Sequence, residues 1–162
     1  MDLPPPAAPG LFVRSLDQSR FALAHPLAKT AIPDLSLTEW QRFLDEHLKQ
    51  PASGIVTVEN SRGIMLACAA YCVRPDLQHG QSLMVDPLIV MDLVGSKMVA
   101  QLLDQHLQWL ARELRCAGLH LQLPVTRSTA AEERGLSAFR GCGMAADALR
   151  LSKAVVGLEP AA

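Results

Sequence analysis

The sequence predicts a mixed α/β fold in which helices cover both faces of a central mixed sheet. Its length, 162 residues of which 49% are hydrophobic, suits one domain with a substantial core rather than two. Short β-branched or alternating segments take turns with segments of helical periodicity along the chain. Between residues 81 and 123 a strand, a long helix and a second strand follow one another, which is typical of a right-handed crossover between parallel strands.

The N-terminal part predicts one strand and two helices. Residues 11–16 form a short strand candidate, and the weakly helical segment 18–28 is interrupted at Pro26. Ser36 and Glu39 have the spacing of a capping box, which begins a clearer helix. Its apolar residues lie on one helical face and are Leu37, Trp40, Phe43, Leu44 and Leu48. This face is expected to pack against the core.

The middle of the chain predicts a hairpin and a further strand. β-branched residues at 54–59, followed by the turn residues 60–63, favour a β-hairpin. Its second strand, residues 64–73, is apolar throughout and is expected at the centre of the sheet. A polar loop, 74–80, precedes an extended segment, 81–91. Pro87 within that segment marks a bulge or the end of pairing, because proline donates no hydrogen bond to a ladder.

The C-terminal part predicts the longest helix, residues 96–115, whose apolar residues form one stripe and whose last turn is basic. Residues 119–123 alternate in polarity and indicate a half-buried strand. A second capping box begins a helix at 129–140, which glycines end. Residues 144–155 return as a last extended segment.

The domain organisation is expected to be simple. Residues 1–10 form a flexible proline-rich leader, residues 11–156 a single domain and residues 157–162 a flexible tail. The leader has neither the basic nor the apolar region of a signal peptide. No apolar run reaches the roughly 18 residues of a spanning helix. The expected location is the cytoplasm.

The charge and the cysteine content limit the kinds of partner that are expected. The net charge is −1 and aromatic residues make up only 4%, so neither nucleic acid nor a membrane surface is an expected partner. Four cysteines occur without a C-x-x-C pair, and no metal is expected. Cys68 and Cys72 lie inside the apolar strand and are interpreted as core residues.

The order and lengths of these elements resemble the GCN5-related N-acetyltransferase (GNAT) superfamily. Three stretches carry the resemblance: the hairpin 55–64, the helix that follows Gly95 together with the strand 118–121, and the segment 136–144. It covers residues 11–155. It implies a GNAT-like acyl-CoA N-acyltransferase fold, with acetyl-CoA or another acyl-CoA as cosubstrate and an amine as acceptor.

In that family the start of the long helix binds acyl-CoA, because free backbone N–H groups and the positive end of the helix dipole face the pyrophosphate. The strand before it lends backbone groups to the pantetheine arm. The residues that the resemblance assigns to the cofactor are Leu88, Ile89, Val90, Met91, Gly95, Ser96, Lys97 and Met98. This chain departs from the family pattern at Val94, where a cation is usual, and at Lys97 and Val99, where small residues are usual. Lys97 can replace some of the lost charge, and a capped helix without a phosphate is the alternative.

The resemblance also indicates where the chemistry departs from the family. Phe139 occupies the position of a tyrosine that often protonates the leaving thiolate, and Glu132 that of a common asparagine. Tyr71 is expected to be packed in the central strand. His120 and Gln122 are expected near the opening between strands that admits pantetheine, and the alternative for His120 is a surface histidine on the polar face of a half-buried strand.

Three residues are candidate bases for deprotonating the amine: Asp86, Glu59 and His79. Asp86 lies on the strand that carries acidic bases in several family members, where partial burial would raise its pKa. His79 has a suitable intrinsic basicity but lies in the polar loop.

Three functions remain open. The first is an N-acetyltransferase that acts by direct transfer on a small-molecule or peptide amine. The second is a catalytically degenerate domain of the same fold that binds an effector or a partner. The third is a sensor or scaffold domain whose aliphatic surface forms a homodimer.

Overall fold

The computed structural model describes residues 8–91, 96–123 and 136–147. The strands are β1 (Leu11–Ser15), β2 (Ser53–Asn60), β3 (Met65–Asp76), β4 (Gly80–Val90) and β5 (Gly118–Leu121). The helices are α1 (Phe21–Ala31), which follows a 3-10 turn (Gln18–Arg20), α2 (Leu37–Leu48) and α3 (Ser96–Glu113). Residues 136–140 are also helical.

The five strands form one sheet in chain order, from β1 to β5. Neighbours are antiparallel as far as β4, and β4 pairs with β5 in parallel across the α3 connection. The predicted mixed sheet and its crossover are therefore confirmed. β3 lies at the centre, as its uninterrupted apolar run predicts.

Helices cover both faces of the sheet, as predicted. On one face α1 and α2 pack around Trp40, Leu44 and Ile89. On the other face α3 packs through Leu103 and Leu107. Both predicted core cysteines are buried, and burial raises the pKa of the Cys68 thiol to about 12.

Helix α2 begins with the predicted capping box. The backbone N–H of Glu39 donates to Ser36 Oγ at 3.2 Å, and the backbone N–H of Ser36 donates to Glu39 Oε2 at 2.9 Å. The interruption expected at Pro26 is wrong, because α1 continues to Ala31. Proline removes only one backbone donor, and the buried side chains of α1 hold the helix against the sheet.

The polar loop expected at residues 74–80 is also wrong, because the connection in the structure is shorter. β3 continues to Asp76 and β4 begins at Gly80, so only a tight turn separates them. Gly80 has φ +76°, a left-handed conformation that glycine adopts without strain. Asp76 Oδ1 accepts the backbone N–H groups of Gln78 and His79, each at 2.8 Å, and this fixes the turn.

The bulge predicted at Pro87 is present. Ala69 lies opposite Leu88, and Tyr71 lies opposite Val85. Two residues of β4, Asp86 and Pro87, therefore stand against one residue of β3.

Several predictions fall on residues that the structure does not describe: most of the leader, the tail, the capping box at 129 and most of the segment 144–155. Of the helices described, none combines the length and the apolar character needed to cross a membrane.

Candidate active site

The pairing between β4 and β5 ends partway along β4. It runs in register from Ser82 opposite Gly118 to Val85 opposite Leu121. The backbone N–H of Gln122 then donates to Val85 O at 2.9 Å, and that of Leu88 donates to Gln122 O at 3.1 Å. The two strands are thus paired until the bulge has been passed.

Beyond Leu88, β4 keeps its partner on one side only. The backbone N–H of Met91 donates to Leu66 O at 2.8 Å, on the β3 side. Because successive residues of a strand direct their backbone groups to opposite sides, Val90 directs its N–H and C=O to the β5 side, as Leu88 does. In the described part of the chain no strand meets these groups there. We call the β5 side of residues 88–90, beyond the bond from the Leu88 N–H, the open edge.

Side chains at the open edge belong to the core. Leu88 and Ile89 are buried on opposite faces of the sheet, and Val90 and Met91 are partly buried. What this segment can offer a ligand is therefore its backbone, as the resemblance implies for the pantetheine arm.

Helix α3 begins a few residues after the open edge. The first turn of a helix has backbone N–H groups without partners inside the helix, and it carries the positive end of the dipole. Lys97 and Met98 are exposed there, whereas Val99 is buried against the sheet. Lys97 thus places an exposed cation in the first turn of α3. Gly95 lies outside the described residues.

Asp86 lies within the bulge, directly before Pro87 and two residues from the open edge. Its side chain is exposed. The partial burial expected for this carboxylate is therefore wrong.

Glu59 is already engaged. Only 4% of its side chain is exposed, Arg20 donates to its Oε1 at 2.7 Å, and the hydroxyl of Thr57 donates to the same oxygen at 2.8 Å. Arg14 lies 3.7 Å from its Oε2. These contacts connect β2 to β1 and to the turn before α1. The surroundings of Glu59 therefore indicate a structural role and not that of a catalytic base.

His79 is at the far end of β4 from Asp86. Its Nδ1 lies 3.2 Å from Asp76 Oδ1, and Nε2 of His120 lies 3.2 Å from Asp76 Oδ2. The expectation that His120 is near the opening between the strands is wrong, since it lies opposite Met84 in the paired part of β5. The backbone of Gln122, by contrast, makes the last hydrogen bonds to β4 before the open edge.

Neither aromatic residue considered as a proton donor reaches the open edge. Phe139 is 3% exposed and packs in the core beside α3. Tyr71 is half-buried, burial raises its pKa, and its hydroxyl lies against Gly54 on β2. The expectation that Tyr71 is packed is confirmed.

Sequence reasoning missed the group formed by Asp76, His79 and His120, which we call the His–Asp cluster. The signal was the short Asp-x-x-His segment in a polar turn, and it was interpreted as a loop. Only the register between β4 and β5 brings His120 to it.

Comparison with known proteins gives structural likeness alone. No protein-family model and no curated sequence matches the chain. An aminoglycoside 6'-N-acetyltransferase from Acinetobacter baumannii matches with a TM-score of 0.70 at 12% identity, over 91% of this chain and 100% of that one. A ribosomal-protein-alanine N-acetyltransferase from Brucella melitensis biovar Abortus matches with a TM-score of 0.66 at 18% identity, over 90% of this chain and 99% of that one.

A third similar structure contains a bound bisubstrate analogue. It is an aminoglycoside N-acetyltransferase in complex with the bisubstrate analogue CoA-S-monomethyl-acetylneamine. It matches with a TM-score of 0.67 at 11% identity, over 90% of this chain and 98% of that one. The chain therefore shares its whole described architecture with acetyltransferases of very different sequence.

Proposed function

The chain has the fold of the GCN5-related N-acetyltransferases, and from this premise we propose that it is a divergent member that transfers an acetyl group from acetyl-CoA to an amine. The observation that carries the proposal is the open edge beyond the β4 bulge. A pantetheine arm contains amide groups, which can pair as an added strand would with the N–H and C=O of Val90, which no described strand meets. The start of α3 then faces the pyrophosphate with its free N–H groups and Lys97.

We propose the following reaction at this site. The neutral amine attacks the thioester carbonyl carbon, a C–N bond forms, and the C–S bond breaks to release the CoA thiolate. Asp86 accepts the proton that the amine loses, because it is an exposed carboxylate beside the bulge. Water protonates the thiolate, since Phe139 has no proton to donate. The acceptor is a small-molecule or peptide amine.

A binding module without turnover is the second candidate. The burial of Phe139 favours it, because the position that supplies an acid in the family is here part of the core. In that case acetyl-CoA or CoA binds at the same open edge and acts as an effector.

Calorimetry with acetyl-CoA and with CoA tests the cofactor binding that both candidate functions require. Both candidates predict saturable binding in the micromolar range, about −8 kcal/mol. The absence of heat at about 1 mM cofactor contradicts both.

Release of free CoA thiol then separates the two functions. The enzyme releases thiol when a panel of primary amines, including aminoglycosides and peptides with a free N-terminus, is added. Binding without thiol release by any of these acceptors favours the module.

A further inference from the structure

The His–Asp cluster lies at the end of β4 that is remote from the open edge. One ligand atom from each of Asp76, His79 and His120 can be chosen so that all three lie within 4.8 Å of one another. The distance along β4 from Gly80 to Leu88 is about 25 Å of strand. This cluster is therefore separate from the site of the proposed function.

The backbone prearranges the cluster. Asp76 and Gly80 are paired at the hairpin turn, and two backbone N–H groups hold Asp76 Oδ1. Oδ2 of the same carboxylate faces His120. A carboxylate with one fixed oxygen and one oxygen directed at an imidazole is a suitable ligand for a metal cation.

Two polar atoms at this place lack partners. Within residues 8–91, 96–123 and 136–147, three buried side-chain atoms have no hydrogen-bond partner, and two of them are Ser82 Oγ and His120 Nε2. His120 Nε2 is 3.2 Å from Asp76 Oδ2 but outside hydrogen-bond geometry. Ser82 is completely buried. Buried polar atoms without partners are rare in native proteins and call for an explanation such as an absent ion.

Gly118 keeps this space open. It lies opposite Ser82 in the β4–β5 register. A side chain at Gly118 would collide with Ser82 Oγ and would come within 2.9 Å of His79 Nδ1. Glycine at this position therefore leaves room between the groups that point into the cluster.

We propose that Asp76, His79 and His120 bind one divalent transition-metal ion, with zinc as the reference ion and water completing its coordination. Two imidazole nitrogens and one carboxylate are the ligands of borderline metals such as zinc, nickel and cobalt. His79 Nδ1 lies 3.2 Å from Asp76 Oδ1 and His120 Nε2 lies 3.2 Å from Asp76 Oδ2, so the two imidazoles already converge on the carboxylate that would share the ion with them.

The bound ion ties the β3–β4 turn to the start of β5. It supplies a partner for the His120 nitrogen, to which the described residues offer no hydrogen bond. The sequence-based expectation of no metal considered the spacing of the cysteines, and this cluster contains none.

Calorimetry with zinc chloride on the tag-free, chelator-treated chain tests the proposal. We expect one ion per chain with a dissociation constant of about 10 μM or tighter. His79→Ala and His120→Ala should each weaken binding at least about tenfold. Asp76→Asn should weaken it similarly while keeping the turn, because an amide oxygen accepts the same two N–H groups. His106→Ala, which removes an imidazole from α3 instead, should leave the constant within about twofold.

Cobalt distinguishes this site from the cysteines. The cobalt-loaded chain should show a spectrum of nitrogen and oxygen ligands without a thiolate charge-transfer band. Circular dichroism confirms that each variant is folded, and Asp76→Asn replaces any alanine variant that is not.

Three results overturn the proposal: no saturable zinc binding up to about 1 mM, equal affinity of the folded cluster variants and the unchanged chain, or a thiolate band with cobalt. Acetyl-CoA binding is measured independently, so failure of the metal site leaves the proposed function unaffected.

Discussion

The two ends of β4 differ in which of their groups lack a partner among the described residues. At the Gly80 end, the strand is paired on both sides, and two side-chain atoms, Ser82 Oγ and His120 Nε2, have no hydrogen bond within the described part of the chain. At the Leu88 end, the side chains are satisfied in two apolar cores, and what lacks a described partner is backbone. The first end is suited to a compact cation and the second to an extended ligand with amide groups. One strand thus presents two kinds of site, and the bulge at Pro87 separates them.

The largest expected effect is on the core at the Leu88 end. Leu88→Ala should lower the free energy of unfolding by about 3 kcal/mol, because it removes a fully buried side chain and leaves a cavity. Urea denaturation measures this change. Val90→Ala, at a partly buried position, is the control and should cost about 1 kcal/mol. Equal costs would show that the apolar core does not close this end of the strand as described.

Replacing the carboxylate in the bulge tests the chemistry beside the open edge. Asp86→Asn should lower kcat/KM about 100-fold and remove the ionisation on the acid side of the pH profile, because the amide cannot accept a proton. Glu113→Gln, an exposed change at the other end of α3, should leave both unchanged. An unaltered pH profile in Asp86→Asn excludes this residue as the base.

Charge reversal at the start of α3 tests the phosphate position. Lys97→Glu should weaken acetyl-CoA binding about tenfold, or about 1.4 kcal/mol, because it places an anion where the pyrophosphate is expected. Lys49→Glu, at another exposed lysine, should have little effect. Titration calorimetry on both variants makes the comparison, and equal losses would place the phosphates elsewhere.

Asp104 Oδ1 is the third buried side-chain atom of the described residues without a hydrogen-bond partner, and it lies on α3, not on β4. Burial raises the pKa of Asp104. A raised folded-state pKa means that this group favours folding at low pH, and that the advantage is lost as pH rises through the raised value. Asp104→Asn should therefore stabilise the fold by about 1 kcal/mol near neutral pH.

The gain from Asp104→Asn should disappear at about pH 3, where the carboxyl is protonated in both folded and unfolded chains. Urea unfolding at the two pH values measures it. A gain that is the same at both would show that charge burial is not its cause.

The smallest effect is expected at the Gly80 end. Ser82→Ala in the metal-free chain should leave stability unchanged or raise it by about 0.5 kcal/mol, because no hydrogen bond is lost with the hydroxyl. Thermal unfolding measures this difference. A loss above about 1 kcal/mol would show that the hydroxyl has a partner and would remove one argument for the metal site.

Local patterns were sufficient to predict most of the fold. The capping box at Ser36, the central apolar strand and the bulge at Pro87 each depend on a few neighbouring residues, and all three are present. Helix α1 was predicted too short because the packing of its apolar side chains outweighs the cost of Pro26.

The candidate sites depend on contacts that spacing does not show. Glu59 was a candidate base until the structure placed Arg20, 39 residues earlier in the chain, against its carboxylate. His79 and His120 belong to different segments of the sequence, and only the β4–β5 register joins them. The cofactor position was predictable in outline because a strand and the helix after it are adjacent in the chain.

Amide hydrogen exchange with each ligand in turn tests the contrast between the two ends of β4 most directly. Saturating acetyl-CoA should protect the Val90 N–H and amides in the first turn of α3, and leave residues 76–82 unchanged. Zinc should protect residues 76–82 and 118–120 and leave the open edge unchanged. Protection of both ends by acetyl-CoA, or none at the Val90 N–H under saturating conditions, would contradict the assignment of the cofactor to the open edge of β4.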